Sequence, residues 1–258
     1  MVRQSGADSS AYKRNARDTW RRAAPAWHEW IGFISEWVSP ATELMLDLAR
    51  IQEGSRVLDI AAGDADQSLK AARRVGKTGY VLATDLTPRF VSFAAAAANE
   101  AGFSNVESRV MDAEDLDLED DSFDASICRL GLMFLPDKVR GLSEVRRVLK
   151  PGGCMAAIVF SVPERNPYLS IPISIIRRRL NTSDPAPGEP GVFSLAAPEL
   201  ITGAFAAAGF QNIETHRVAT ELRFKSAEVC VRFERYVKGG SRRNLERDRP
   251  GSARARKP

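Results

Sequence analysis

Three carboxylates stand at the tips of three short apolar runs: Asp59 in Val57-Leu58-Asp59-Ile60, Asp85 closing Val81-Leu82-Ala83-Thr84, and Asp112 after Val110-Met111. They lie 26 and 27 residues apart, about one strand–helix–strand unit each. That repeat lines them along one edge of a parallel sheet, where such sheets bind nucleoside ligands. The first run opens into a loop of small residues, Ala61-Ala62-Gly63-Asp64-Ala65. A dinucleotide site would read G-x-G-x-x-G there, because pyrophosphate needs bare backbone close to a helix N-terminus. Asp64 inside the loop instead repels a diphosphate and suits a ligand with an ammonium and a sulfonium. Asp85 is placed to accept from both ribose hydroxyls. Asp112 can accept from an exocyclic adenine amine, and Ala113 offers a backbone N–H to a ring nitrogen. Amino acid, ribose and adenine in that order describe S-adenosylmethionine.

With these residues in hand, the chain resembles the class I S-adenosylmethionine-dependent methyltransferases, and within them the ubiquinone/menaquinone biosynthesis (methyltransferase type 11) branch. The resemblance spans roughly residues 40–225. It is carried by Val57 to Gly63, Ala83-Thr84-Asp85-Leu86, Met111-Asp112-Ala113, Ser122-Phe123-Asp124-Ala125, Arg146-Arg147-Val148-Leu149-Lys150-Pro151-Gly152-Gly153, and the run Cys154 to Phe160. The resemblance implies an α/β fold, the Rossmann-like doubly wound sheet of class I methyltransferases, and methyl transfer from S-adenosylmethionine. It implies a cofactor set of Asp59, Ala61, Gly63, Asp64, Ala65, Gln67, Asp85, Leu86, Asp112, Ala113 and Cys128. In the family the loop usually reads acidic-x-Gly-x-Gly-x-Gly, and its first and third glycines are Ala61 and Ala65 here. The methyl of Ala65 stands where backbone normally approaches the methionine end, and it resists positive φ.

At 258 residues the chain can build one large α/β domain with a proper core. Residues 1–19 are polar and charged, unlike a secretory signal, and no apolar run approaches membrane-spanning length. Three scattered cysteines, Cys128, Cys154 and Cys230, suggest neither a disulfide framework nor a metal site, so a reducing cytoplasm is expected. Residues 235–258 carry nine Lys/Arg against two Asp/Glu, while residues 1–234 have a net charge of −3. The basic balance therefore belongs to a tail, expected to be disordered, and no nucleic-acid partner is expected.

The carboxylates need elements to hold them. Hydrophobic spacing predicts β 55–60, α 66–75, β 79–84, α 88–101, β 105–110, β 123–129, α 136–149, β 153–160, a helix at 198–208 and a strand near 213–224. All four tryptophans (Trp20, Trp27, Trp30, Trp37) fall before residue 40. Pro25 is expected to break an early charged helix. A second helix carries Trp27, Trp30, Ile34 and Trp37 on one face, either as a cap on the core or as a lid over the ligands. The domains expected are this helical lid at 1–39, the methyltransferase domain at 40–234 with a substrate-covering insertion at 161–197, and the tail at 235–258. Seven prolines from Pro163 to Pro198 mark that insertion as a long loop framing the apolar run Tyr168 to Ile176. The family continues past a motif like Cys230-Val231-Arg232-Phe233-Glu234-Arg235 into another helix and a last strand, for which this sequence has no candidate. A truncated or frameshifted C-terminus is the expectation, leaving the sheet without that strand and with an exposed edge.

Methyl transfer from a sulfonium is an in-line displacement that asks mainly for alignment of a nucleophile with the methyl carbon. A general base helps only when the nucleophile must lose a proton. Of the two histidines, His28 in the lid is the candidate base, against a packing or surface role, and His216 lies in the late strand. No catalytic residue is otherwise assigned. The run after the fourth strand is Cys128-Arg129-Leu130-Gly131-Leu132-Met133-Phe134. It lacks the Asn/Asp-Pro-Pro-Tyr/Phe of amino-methylating relatives, the acid of Mg²⁺-dependent and ribose-methylating ones, and the Pro-Cys of cytosine enzymes. No metal is expected, and Cys128 reads as packing beside the cofactor. Arg129 either orients an anionic or carbonyl oxygen of the substrate or forms a salt bridge. With Trp30, Met133 and Phe134 it would line a largely hydrophobic pocket for a small lipophilic or aromatic metabolite, methylated on oxygen or carbon. A catalytically impaired methyltransferase-like protein with weak cofactor binding is the alternative, motivated by Ala65 and the C-terminus. Arg177-Arg178-Arg179 allows at most a peripheral membrane contact.

Overall fold

The structure, a computed structural model, describes residues 6–183, 185–186 and 188–237. Most of the expected basic tail (238–258) lies outside the described residues. Three helices lead: α1 (Gly6–Glu29), α2 (Ile31–Trp37) and α3 (Ser39–Leu48). There follow β1 (Arg56–Ile60), α4 (Asp66–Val75), β2 (Tyr80–Asp85), α5 (Pro88–Glu100), β3 (Val106–Val110), β4 (Phe123–Arg129), α6 (Lys138–Val148) and β5 (Leu149–Ile158). Helices α7 (Pro167–Leu180), α8 (Pro198–Ala207) and α9 (Ala227–Val237) complete the described chain.

All the strand pairs are parallel, in the order β3-β2-β1-β4-β5, so the chain reverses direction across the sheet between β1 and β4. Strand alternation explains the layers. Val57, Val81 and Ile127 turn one way and bury against α3 and α4 through Leu46, Ala72 and Val75. Leu58, Leu82 and Cys128 turn the other way and bury against α6 and α8 through Leu142, Val145 and Phe205, joined by Phe123 across a register shift in β4. Helix starts follow local chemistry. Prolines open α5, α7 and α8, where a missing N–H is harmless, and Asp137 accepts from the Arg140 N–H at 2.9 Å to cap α6.

Four expectations need correction. Helix α1 runs through Pro25. Proline inside a helix costs about 3 kcal/mol, and tertiary packing offsets it here: Ala23 and Ala24 are buried, and Trp20 meets Phe134 edge-on at 5.3 Å. The Pro-framed insertion holds a 14-residue helix, α7, with Pro172 near its start. Strand β5 begins at Leu149, so the preceding helix ends earlier than its apolar spacing suggests. Residues 213–224 form no strand. Residues 213–218 and β5 line a common groove without a ladder between them, and β5 is the sheet's edge among the described residues.

Candidate functional site

The site grows from the carboxyl ends of β1, β2 and β3. Registers Ile60↔Thr84 and Asp85↔Val110 bring Asp59, Asp85 and the residues after β3 to one edge, and the Met111 N–H reaches the Asp85 carbonyl at 3.0 Å. Asp59 is fully buried, and its Oδ2 accepts from Ser68 Oγ at 2.5 Å. Oδ1 of Asp59 and Oδ2 of Asp64 are buried without a hydrogen-bond partner among the described residues. Asp85 Oδ2 accepts from the Gly63 N–H at 3.1 Å, and Oδ1 from the Thr87 N–H at 2.8 Å. Each oxygen keeps acceptor capacity, since a carboxylate has about four lone-pair sites.

Burial dominates the electrostatics of this cluster. It pushes the Asp59 carboxyl up to about 7 and that of Asp64 up to about 6, with His28 working against the Asp64 shift. It raises Asp85 as well, against the pull of the Thr87 and Gly63 N–H groups. Burial also pushes the Cys128 thiol up to about 12, with Asp59 and Asp85 adding to it. That places Cys128 beside both carboxylates as an inert thiol, in keeping with packing. Carboxylates that lose so much by desolvation gain most from a cation brought among them.

The sign for Asp59 gives a test. Unfolded, an aspartate releases its proton near 4, whereas folded Asp59 holds one up to about 7. The folded chain binds more protons between those values, so this group's contribution is complete below about pH 4 and is lost as pH rises towards 7. Each pH unit there is worth up to about 1.4 kcal/mol. Asp59→Asn should therefore flatten the fall in melting temperature of the cofactor-free protein between weakly acidic and mildly alkaline buffer. Parallel pH curves for the two proteins would refute the assignment.

The loop between β1 and α4 turns by positive φ at Ala61 (54°), Gly63 (57°) and Ala65 (62°). The two alanines accept the left-handed conformation that their methyls resist, at a cost of order 1 kcal/mol each. Ala65 is repaid by packing with Ala62, Ala83 and Ala94. Ala61 faces Gly131, where an added Cβ would lie 2.4 Å from the Ala61 Cβ and 3.2 Å from Cys128 Sγ. Gly131 is thus the residue that lets the β4 loop close on the β1 loop. Gly131→Ala should destabilise the protein by roughly 1–3 kcal/mol through overpacking, and much less in an Ala61→Gly background. Equal losses in both backgrounds, read by urea unfolding, would show that Ala61 is not the obstacle.

Helix α1 lies across the far side of the cleft. Lys13 Nζ meets Asp112 Oδ2 at 2.8 Å and Glu114 Oε2 at 2.7 Å, while Asp112 Oδ1 accepts from the Glu114 N–H. Tyr12 donates to the Phe134 carbonyl at 3.2 Å, and burial pushes its hydroxyl up to about 12. Trp20 stands against Phe134 at 5.3 Å and Phe90 at 6.5 Å. His28 Nδ1 lies 3.2 Å from Asp64 Oδ1, with its ring stacked on Phe93 at 4.1 Å.

Asp59, Ala61, Gly63, Asp64, Ala65, Gln67, Asp85, Asp112 and Cys128 thus gather at one strand edge, with Leu86 and Ala113 half-buried next to Asp85 and Asp112. Gln67 is buried and ties the loop by donating to the Ala62 carbonyl at 3.0 Å. Phe134 is at the cleft. Three expected substrate residues are elsewhere engaged. The Arg129 guanidinium grips the Asp66 carboxylate with both terminal nitrogens, Nη1 to Oδ2 at 2.8 Å, so the salt-bridge reading is the one realised. Met133 is buried in the core, its carbonyl accepting from Ser194 Oγ. Trp30 joins an aromatic cluster with Phe33 and Phe233, at 5.8 and 5.3 Å. Sequence reasoning missed Lys13, Tyr12, Trp20, Ser68 and Thr87. Only Thr87, before Pro88 at a helix start, carries a local signal; the others are brought in by packing.

The sequence matches the ubiE/COQ5 methyltransferase family over residues 37–175, which takes in β1 to β5 and the carboxylate edge. The chain belongs to that family. S-adenosylmethionine is the cofactor that goes with this membership, and the donor set fits it: partnerless buried carboxylate oxygens for an ammonium, and acceptor capacity on Asp85 for a diol. Demethylmenaquinone methyltransferase of Bacillus velezensis is 34% identical over 119 residues, 46% of this chain and 51% of that protein. The enzyme of that name from Listeria welshimeri is 37% identical over 118 residues, 46% of this chain and 50% of that protein. The chain therefore spans about half the length of the curated relatives it matches. Among solved structures, the Bacillus subtilis YcgJ protein is similar with a TM-score of 0.52 and 25% identity, over 66% of this chain and 68% of that one. The [4+2]-cyclase SpnF shares the fold over 91% of this chain and 85% of its own, with a TM-score of 0.63 and 18% identity.

Proposed function

We propose that the chain transfers a methyl group from S-adenosylmethionine to oxygen or carbon of a small lipophilic or aromatic metabolite. The observation that carries this reading is the set of desolvated carboxylates at one strand edge, two of them with a buried oxygen that lacks a partner. When bound, S-adenosylmethionine supplies an electrophilic methyl on a sulfonium. Asp59 and Asp64 would hold its ammonium, Asp85 its ribose hydroxyls, and Asp112 with Ala113 its adenine. Lys13 occupies one Asp112 oxygen, so it has to share that oxygen or withdraw. Trp20, Phe90 and Phe134 would exclude water from the acceptor and line it with apolar surface.

Catalysis on this reading is alignment rather than proton transfer. His28 is tied to Asp64, and no other histidine approaches the described cleft, which favours an acceptor that needs little help losing a proton. The curated relatives are named for a quinone precursor, which agrees in class with a lipophilic ring. In domain terms, 1–39 acts as the lid, 40–234 as the transferase and 161–197 as the substrate cover. The three free cysteines support a cytoplasmic setting. Isothermal titration with S-adenosylmethionine, followed by a metabolite screen with labelled methyl donor, tests the reading. One-to-one heat and label in an apolar product are expected. No heat at high micromolar ligand would overturn it in favour of a methyltransferase-like protein that has lost its cofactor.

A further inference from the structure

We propose that α7 docks the protein on an anionic phospholipid bilayer. Four of the eight exposed large hydrophobic side chains among the described residues lie on this one helix: Ile171 (56% exposed), Ile175 (43%), Ile176 (53%) and Leu180 (45%). Single exposed aliphatics are ordinary on a protein surface, whereas a contiguous group of them marks an interaction face. At 100° per residue, the four-apart pairs Ile171/Ile175 and Ile176/Leu180 border one broad face, with Pro172 and Arg179 between them.

The helix is anchored at its N-terminal end. Leu169 is buried, and the Tyr168 ring lies 5.7 Å from Phe224 and 6.5 Å from Phe233. The helix also packs on the turn Pro163–Arg165, and in its C-terminal half Ile175, Ile176 and Leu180 are exposed. That half ends in Arg177-Arg178-Arg179, and from Glu164 to Asp184 the sequence has four arginines against two carboxylates. Part of this charge offsets the helix dipole. Dipole compensation does not account for the aliphatic face beside it. Branched aliphatics that insert below the headgroups, next to guanidiniums that fork onto phosphate oxygens, are complementary to an anionic bilayer surface. The aliphatic stem of Arg179 can lie along the apolar face while its head reaches the phosphates.

The strands being parallel, the C-terminal end of β5, from which the chain runs on to α7, lies on the same side of the sheet as the C-terminal ends of β1, β2 and β3. The inference goes beyond the proposed reaction and does not depend on it, since vesicle binding is read without cofactor.

Flotation of the full chain tests it, using vesicles of phosphatidylcholine alone or mixed with phosphatidylglycerol. Binding to the mixed vesicles at least about tenfold above the neutral ones, and weakening as salt is raised, is expected. Ile175→Ser with Ile176→Ser should abolish it, and Arg178→Gln with Arg179→Gln should cut it severalfold; these side chains are exposed, so the fold should survive, as circular dichroism would check. Binding that is unchanged in both double variants would assign it to the basic C-terminal residues and overturn the proposal. Absence of vesicle binding, together with a concentration-dependent dimer that Ile175→Ser/Ile176→Ser disperses, would overturn it in favour of a second copy of the chain.

Discussion

Replacing Asp85 by alanine is expected to weaken S-adenosylmethionine binding by a factor of about 100 or more. The estimate rests on two lost charge-assisted hydrogen bonds from the ribose, each worth about 1.5–3 kcal/mol. The same carboxylate also receives the Gly63 and Thr87 N–H groups, so the variant loosens the loop that should meet the methionine end. The effect on folding should be smaller than that on binding, because the substitution also removes a buried charge that desolvation already disfavours. Isothermal titration paired with a thermal melt separates the two. A variant that keeps its affinity would show that the ribose lies elsewhere and that this strand edge is not the cofactor site.

The largest effect on stability is expected at Arg129. Its side chain is 7% exposed and that of Asp66 17%. Burial works to raise the Asp66 carboxyl, and the guanidinium more than offsets it, leaving the group below its ordinary value. Stability from this pair is therefore present above about pH 4 and is lost as pH falls through the depressed value. Removing one partner leaves the other buried and uncompensated, so Arg129→Met should cost about 3–5 kcal/mol. That is a fall in melting temperature on the order of 10 °C. Arg129→Met with Asp66→Leu should regain most of it, because an apolar pair carries no desolvation penalty. If the single variant melts with the parent protein, the pair is ornamental and the loop is held by something else. If the double variant melts no higher than the single one, the missing contribution is packing of the arginine stem.

How far the sequence reaches is visible residue by residue. Asp59, Asp85 and Asp112 were legible because strand period and loop composition are local, and a parallel sheet converts that repeat into a common edge. Gly63 followed from the loop, and Gln67 from the family resemblance. Arg129 was ambiguous for a physical reason: a guanidinium suits a substrate oxygen and a helix-start carboxylate equally, and only packing decided for Asp66. Trp20 and Trp30 are both subject to the same ambiguity, yet Trp20 on α1 faces Phe134 and Trp30, between α1 and α2, faces Phe233. Helical phase cannot say which neighbour a face will meet. Pro25 misled because propensity is a local cost, whereas the contacts of this helix with Phe90 and Phe134 through Trp20 are not local. The segment 213–224 has strand-like alternation, but a strand exists only where another backbone offers hydrogen bonds.

One helix, α1, clasps the cleft at two places: Lys13 near its beginning on Asp112 and Glu114, and His28 near its end on Asp64. On the proposed reading, a donor seated beneath it would either share those carboxylates with Lys13 and His28 or displace one of them. Residence time would then depend on these two side chains as well as on the groups that touch the guest.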